Sequence, residues 1–232
     1  MSAHVSACPN HQTLRTTPLS TRFAVAAFGV LGYECNFCDL KKEDLEAIKL
    51  QISRYKEWRD VLQWGSFYRG KKMGNPLPST DPSPFGWSGS QAGNRSLHEW
   101  TCVSKDKRAA AGLFMQELVL PNSPFARYHA RGLDPDTVYH FGNDLIRQNL
   151  RNFGDLINTA SPVHIKQDSH IHYALSKFVT MPGEQEDLLA SGRLLMSSGV
   201  VLKQAFAGTG YNEEVRFFQD FSSRLYFMEA EE

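Results

Sequence analysis

The chain lacks most of the signals by which a functional class is read from sequence. It has no surplus of one charge, since 25 Lys and Arg stand against 25 Asp and Glu for a formal net charge of zero. Nucleic-acid binders carry a strong basic surplus, so no such partner is expected. Long apolar runs are missing too. The longest, Phe23 to Leu31, is about half the ~20 residues that cross a bilayer, so no membrane span is expected. No apolar segment follows a basic start, as it would in a secretory leader, and the cytoplasm is the expected location. Four cysteines in 232 residues are too few for a disulfide scaffold. Cys35 and Cys38 form a single C-x-x-C pair, with no second pair or His at zinc-finger spacing and no thioredoxin-like neighbours. The chain contains no G-x-S-x-G, P-loop, G-x-G-x-x-G after a strand or H-E-x-x-H.

What is present is an ordinary globular composition, 41% hydrophobic, with a mean hydropathy of −0.39; disorder is excluded. The length allows one or two domains. Aromatics are plentiful, with 15 Phe, 8 Tyr and 4 Trp. Such side chains suit a β-rich core and sugar-binding clefts alike.

Along the chain, Ala3 to Pro9 reads as a short buried strand broken by Pro9. Thr17 and Pro18 then read as a helix cap and first helical residue. Leu19 to Phe28 is apolar nearly all round, as in a helix buried on several sides, and Gly29 and Gly32 read as its end. Leu45, Ile48, Ile52, Tyr55 and Leu62 recur at helical spacing, predicting a second helix from an Asp39 cap to about Gln63. Residues 70–95 hold Pro76, Pro78, Pro82 and Pro84 among Gly, Ser and Asn, and read as a linker.

Beyond the linker the pattern is β. Strands are predicted over 97–104 and 109–120 around a charged tip at Lys105-Asp106-Lys107, over 126–131, and over 137–141 after the turn Gly132-Leu133-Asp134-Pro135-Asp136. A last hairpin is predicted from 215–219 and 223–228. This spacing suggests an antiparallel sandwich. In between, 144–156 reads as helical and 171–180 as a strand. The division is therefore 1–69, linker 70–95 and a β-domain over 96–232.

The bare residues show no catalytic constellation. His170 and His172 would share one face of a strand, but no third metal ligand stands at a useful spacing. The polar residues His4, Ser6, Asn10, His11, Gln12, Thr13 and Arg15 follow an apolar strand and precede a buried helix. In α/β barrels such strand ends form the active face. A buried hydrogen-bond network explains them equally well.

Ser2-Ala3-His4-Val5-Ser6-Ala7-Cys8-Pro9-Asn10-His11-Gln12-Thr13, with Arg15 and Thr17-Pro18-Leu19, strongly resembles the stretch near the last barrel strand of family 36 α-galactosidases. Leu31-Gly32-Tyr33-Glu34 and Gly65-Ser66-Phe67-Tyr68-Arg69 are similar to its next landmarks, the second leaving the barrel. Val103 to Lys107, Gly132 to Asp136, Gly210 to Glu213 and Phe221 to Arg224 resemble its C-terminal β-domain. Phe153-Gly154-Asp155-Leu156, with the long insert around it, looks like a longer subfamily.

The resemblance implies an α+β chain: the last strand and helices of a (β/α)₈ barrel followed by an antiparallel all-β sandwich. It implies a retaining glycosidase for terminal α-linked galactose of raffinose-type sugars, with no metal or organic cofactor, in a cytoplasmic homo-oligomer. His4, Asn10 and His11 are then the candidates for a substrate-site wall. Retention needs two carboxyl groups ~5–5.5 Å apart. In the family the nucleophile lies in a K-W-D-x-N-R motif, absent here; Trp58-Arg59-Asp60 sits on the amphipathic helix and is not its equivalent. Both catalytic aspartates would lie upstream of Met1, which stands where family members often have an internal Met. The expectation is thus the C-terminal piece of a longer gene, inactive alone. Two alternatives remain: a carbohydrate-binding or oligomerisation module using Trp87, Trp100, Tyr128 or Tyr139, and one chain of a split glycosidase. In a lone barrel remnant Val5, Phe23, Ala27 and Phe28 would be partly exposed and promote self-association.

Overall fold

A computed structural model describes residues 2–70, 97–117, 127–144, 147–159, 161–182, 185–203 and 220–231. The linker residues 71–95, Trp87, the strand expected over 215–219 and the landmark Gly210 to Glu213 lie outside them.

The chain begins with a β–α–β unit. Strand β1 (Ser2–Ser6) leads through a loop to helix α1 (Leu19–Ala26), and β2 (Val30–Glu34) returns parallel to β1. The sequence suggested strand, helix, helix; β2 is the element it lacked. Gly29 and Gly32 do not merely stop α1. Gly32 sits inside a five-residue strand, too short for its alternation to stand out. α1 also starts one residue late: Pro18 is its N-cap, Thr17 makes no cap bond, and the first backbone bonds run from Thr21 and Arg22 to the Pro18 carbonyl, both 3.1 Å.

Helix α2 (Lys42–Trp64) buries Ile48, Tyr55, Trp58 and Leu62 along one stripe. Asp39 does not cap it. A short 3-10 turn, Phe37–Asp39, comes first, and the Asp39 carboxylate accepts from Asn36 Nδ2 at 2.8 Å. Glu43 and Asp44 occupy the first turn of α2, where the helix dipole favours negative charge. The Tyr55 hydroxyl donates to the Gly29 carbonyl at 2.9 Å and accepts from the Leu31 N–H at 3.2 Å, which pins α2 to the start of β2.

Next come β3 (Ser66–Arg69), β4 (Leu97–Val103), β5 (Ala109–Gln116), β6 (Arg127–Tyr128), β7 (Val138–Gly142) and β8 (Arg147–Asn149). They are followed by a 3-10 segment (Leu150–Thr159), α3 (His170–Leu175), β9 (Thr180–Pro182), β10 (Asp187–Ser191), α4 (Gly192–Ser197), β11 (Val200–Val201) and β12 (Ser222–Ala230). Among the described residues the main sheet has six strands in the order β10-β7-β12-β5-β4-β3, antiparallel throughout. Two small pairs, β11-β6 and β8-β9, lie apart from it.

Both faces of the main sheet are covered. One carries Phe114, Tyr139, Phe141, Tyr226 and Met228 under Tyr128, Leu195 and Leu202. On the other, Ala109, Ala111, Leu225 and Phe227 pack against Val5, Phe23, Ala27, Trp58 and Leu62. This corrects the partial exposure expected of Val5, Phe23 and Ala27. Val5 is 0%, Phe23 6% and Ala27 1% accessible, because the β–α–β unit and α2 use the sheet as a floor. Phe28, half-buried, packs edge-on against Phe67 and Trp100.

Two readings in the middle of the chain also change. Residues 171–180, expected as a strand, begin as α3: the Ser169 hydroxyl accepts from the His172 N–H at 3.1 Å, a cap that overrides the apolar pattern. His170 and His172 therefore do not share a strand face, and His172 is buried with Nδ1 accepting from the Asp168 N–H at 3.1 Å. Within 144–156, Arg147–Asn149 form β8 and a 3-10 segment starts at Leu150; residues 145 and 146 lie outside the described residues. Gly132, in the turn before β7, has φ +79°, and a Cβ there would meet the Tyr68 ring at 2.3 Å, so the position excludes any side chain.

Glu99 on β4 is nearly buried beside His129, whose N–H it accepts at 3.3 Å. Burial pushes its carboxyl above the usual 4.5, with His129 and Arg131 opposing. A carboxyl with a raised folded pKa favours the fold below the unfolded value, and that contribution is lost as pH rises through the folded value. Glu99→Gln keeps an acceptor for His129 but cannot ionise. Its urea midpoint is expected to fall less than that of the parent between pH 4.5 and 7; superimposable pH profiles would exclude Glu99 as the source.

Candidate functional site

Alternation along β1 sends Ala3 and Val5 toward α1 and α2, and Ser2, His4 and Ser6 to the other face. The register with β2 pairs Ser2 with Val30, His4 with Gly32 and Ser6 with Glu34. The second face of this parallel pair thus carries Ser2, His4, Ser6, Val30, Gly32 and Glu34. Ser2, His4, Val30 and Glu34 on it are exposed, so among the described residues one face of the pair is covered and the other is not. Parallel strands in folded domains are otherwise covered on both faces. Gly32 lets the His4 imidazole lie close: a Cβ there would stand 3.2 Å from His4 Nδ1.

The loop after β1, residues 7–17, holds the other two candidates. Asn10 is spent on the loop itself. Its side-chain oxygen accepts from the Gln12 and Thr13 N–H groups, each at 3.0 Å, and from the Thr13 hydroxyl at 3.1 Å. Its backbone N–H reaches the Arg15 carbonyl at 2.9 Å and its carbonyl accepts from Leu14 at 2.8 Å. Asn10 therefore builds an Asx turn at the end of the strand. His11 projects from that turn into solvent.

Beside the outer edge of β1 lies a cleft of about 270 Å³ lined by His4, Arg15, Thr17, Thr21, Arg22 and Phe221, among others. Of the three candidates it takes in His4 only; Asn10 and His11 do not line it. Two residues matter here that the sequence did not single out as a pair. Arg22, on α1, donates from Nε to the Thr17 carbonyl at 3.1 Å and from Nη1 to the Ser6 carbonyl. The guanidinium of Arg15 lies 4.6 Å from the centre of the Phe221 ring. Arg22 sits at a helical position with no unusual spacing, and only the fold shows that its fork spans two carbonyls sixteen and five residues away.

The arrangement can shape a wall, but it holds little machinery for bond cleavage. Of the six positions on the uncovered face only Glu34 is a carboxylate. Among the described residues no group of three or more His, Cys, Asp and Glu is placed to hold a metal ion. A second cleft, about 230 Å³, lies where α2 meets the edge of the main sheet. Its polar groups are largely engaged: Arg54 Nε donates to Asp144 Oδ2 at 3.0 Å and Nη1 to Glu57 at 2.8 Å, and His140 pairs with Asp187 at 2.6 Å. As for the aromatic residues considered for sugar stacking, Tyr128 and Tyr139 are wholly buried in the core. Trp100 packs against Phe28 and Phe67 at 5.6 Å each. No helix among the described residues is long and apolar enough to cross a membrane.

Two family models match this chain in order: Melibiase over residues 1–65 and the Glycosyl hydrolase family 36 C-terminal domain over residues 97–228. The chain is 34% identical over 139 residues to the α-galactosidase AgaA of Geobacillus stearothermophilus, a match covering 60% of this chain and 16% of that one. It is 50% identical over 70 residues to α-galactosidase 1 of Pediococcus pentosaceus, covering 30% and 10%. The crystal structure of an α-galactosidase from Lactobacillus brevis superposes with a TM-score of 0.63 at 25% identity, covering 99% of this chain and 22% of that one. A substituted AgaA from G. stearothermophilus in complex with raffinose superposes with a TM-score of 0.61 at 24% identity, with the same coverage. The chain thus spans between a tenth and a quarter of the length of these relatives.

Proposed function

The chain belongs to glycosyl hydrolase family 36, and from that premise we propose that it forms the closing barrel segment and C-terminal β-sandwich domain of a retaining α-galactosidase. In this reading the whole enzyme removes terminal α-linked galactose from raffinose-type oligosaccharides, and residues 1–69 and 96–232 contribute structure rather than reacting groups. The carrying observation is the parallel β1–β2 pair, covered on one face by the helices and bare on the face bearing His4 and Glu34. A bare parallel pair suits a segment whose remaining barrel strands come from elsewhere, either from a longer polypeptide or from a second chain of a split glycosidase. His4, Asn10 and His11 then stand at the strand end where barrel enzymes bind substrate, with Asn10 setting the loop and His4 and His11 facing the sugar.

Retaining hydrolysis proceeds through a glycosyl-enzyme intermediate and needs a nucleophilic carboxylate and an acid/base carboxyl on either side of the scissile bond. Glu34 alone cannot fill both roles. The purified chain is therefore expected to leave a nitrophenyl α-galactoside uncleaved above the buffer rate. Mixing it with a separately produced barrel portion of a family relative is expected to yield activity that neither part has alone. Turnover by the chain alone, lost in Glu34→Gln, would overturn the reading.

A further inference from the structure

The loop after β1 is held from three directions, and one of them is the far sheet. Arg22 bonds the last residue of β1, through the Ser6 carbonyl, and the far end of the loop, through the Thr17 carbonyl. A guanidinium suits this bridge because its planar fork fixes two donors at once, which a lysine ammonium on a flexible stem does not. In the middle of the loop, the Asn10 turn closes on Arg15 through the Asn10 N–H. The guanidinium of Arg15 then leaves the loop and stacks on Phe221, the residue before β12. Phe221 is itself anchored: its N–H reaches the Glu117 carbonyl, just past β5, at 2.7 Å. Close by, Ser223 on β12 donates to Thr21 on α1 at 3.1 Å in a buried contact.

We propose that Arg22 and Arg15 are positioning residues, Arg22 by tying the two ends of the loop 7–17 together and Arg15 by letting the C-terminal sheet hold that loop through Phe221. The consequence for sugar binding rests on the loop being part of a substrate-site wall, as proposed above; the latch itself does not. It assigns the β-domain a task beyond folding, which is to fix the loop that carries Asn10 and His11 at the end of β1.

The test is amide hydrogen exchange on the full chain. The Asn10, Gln12, Thr13 and Leu14 N–H groups are hydrogen-bonded within the loop and report its order, while amides in β4 and β5 report the sheet. Arg15→Met and Phe221→Leu are each expected to raise loop exchange by roughly three- to tenfold, the range of a partly exposed cation–π contact, without altering β4 or β5. Arg15→Lys and Phe221→Tyr keep a cation over an aromatic ring and are expected to retain protection. Phe221→Leu should add nothing to Arg15→Met. Arg22→Met is expected to loosen both loop ends, and Arg22→Lys to restore only part of the protection. Unchanged loop exchange in Phe221→Leu, or independent effects of the Arg15 and Phe221 changes, would overturn the proposal. Either result leaves the galactosidase reading to its own assay.

Discussion

Tyr226→Ala is expected to cost about 3–5 kcal/mol, the range for truncating a large aromatic side chain in a packed core. Tyr226 sits on β12 between β5 and β7 and is 1% accessible. Its ring stacks on Phe141 at 4.9 Å and 22° and lies 5.3 Å from Tyr128. Neither neighbour can collapse into the space. Phe141 is fixed by the pairing of β7 with β12, and the Tyr128 hydroxyl is held by the Trp100 carbonyl at 2.9 Å and by Thr101 Oγ1 at 2.8 Å. Gly112 on β5 tightens the site further, since a Cβ there would lie 2.2 Å from the Tyr128 hydroxyl oxygen. The loss approaches the whole stability of an ordinary domain, ~5–15 kcal/mol. Urea titration followed by far-UV dichroism checks it, with Tyr226→Phe as the control that keeps the ring. A midpoint for Tyr226→Ala equal to that of Tyr226→Phe would show that the ring stack contributes little.

The second large effect is expected at Trp58, where α2 meets the sheet. The indole is 5% accessible and packs 4.7 Å from the Phe227 ring. Trp58→Ala removes the largest side chain between α2 and β12, and a loss of about 3–5 kcal/mol is expected. Trp58→Phe should cost much less, about 1 kcal/mol. Among the described residues the buried Trp58 Nε1 finds no hydrogen-bond partner, so the smaller ring also sheds an unsatisfied donor worth ~1–3 kcal/mol. Chemical denaturation of the two variants, both of which lack the indole N–H, isolates the contribution of the ring. Equal losses for Ala and Phe would mean that an aromatic ring against Phe227 contributes little, and would overturn the expectation.

These positions also show what the sequence reveals and what it hides. The stripe of Ile48, Tyr55 and Leu62 on α2 is legible because a 23-residue helix repeats its period many times. The β4–β5 hairpin is legible because its tip has turn chemistry: Asp106 Oδ1 accepts from the Ser104 hydroxyl at 2.6 Å and from the Arg108 N–H at 3.0 Å, and Lys107 takes φ +60°. β2 and α3 are short, so one glycine or one serine cap outweighs their pattern. The burial of Val5 and Phe23 was hidden for another reason. It depends on a sheet whose strands begin more than forty residues later. At the candidate site, the strand end carrying His4 stands out as polar residues after an apolar run. The bridging role of Arg22 does not, because its partners are backbone carbonyls that any residue would offer.

The order of the main sheet bears on how the molecule is made. β12 comes last of the strands along the chain but third in space, between β7 and β5. On the ribosome, then, β3, β4 and β5 emerge as one half of the sheet, and β7 and β10 as another. Neither half can join the other until residues 222–230 arrive as the keystone. Until that moment, one backbone edge of β5 and one of β7 each face an empty slot, their N–H and C=O groups unpaired. Non-local closure of this kind is slow and leaves strand edges unpaired meanwhile. A nascent chain stalled before Ser222 should therefore be a chaperone client, while one released after Ala230 can close its sheet unaided.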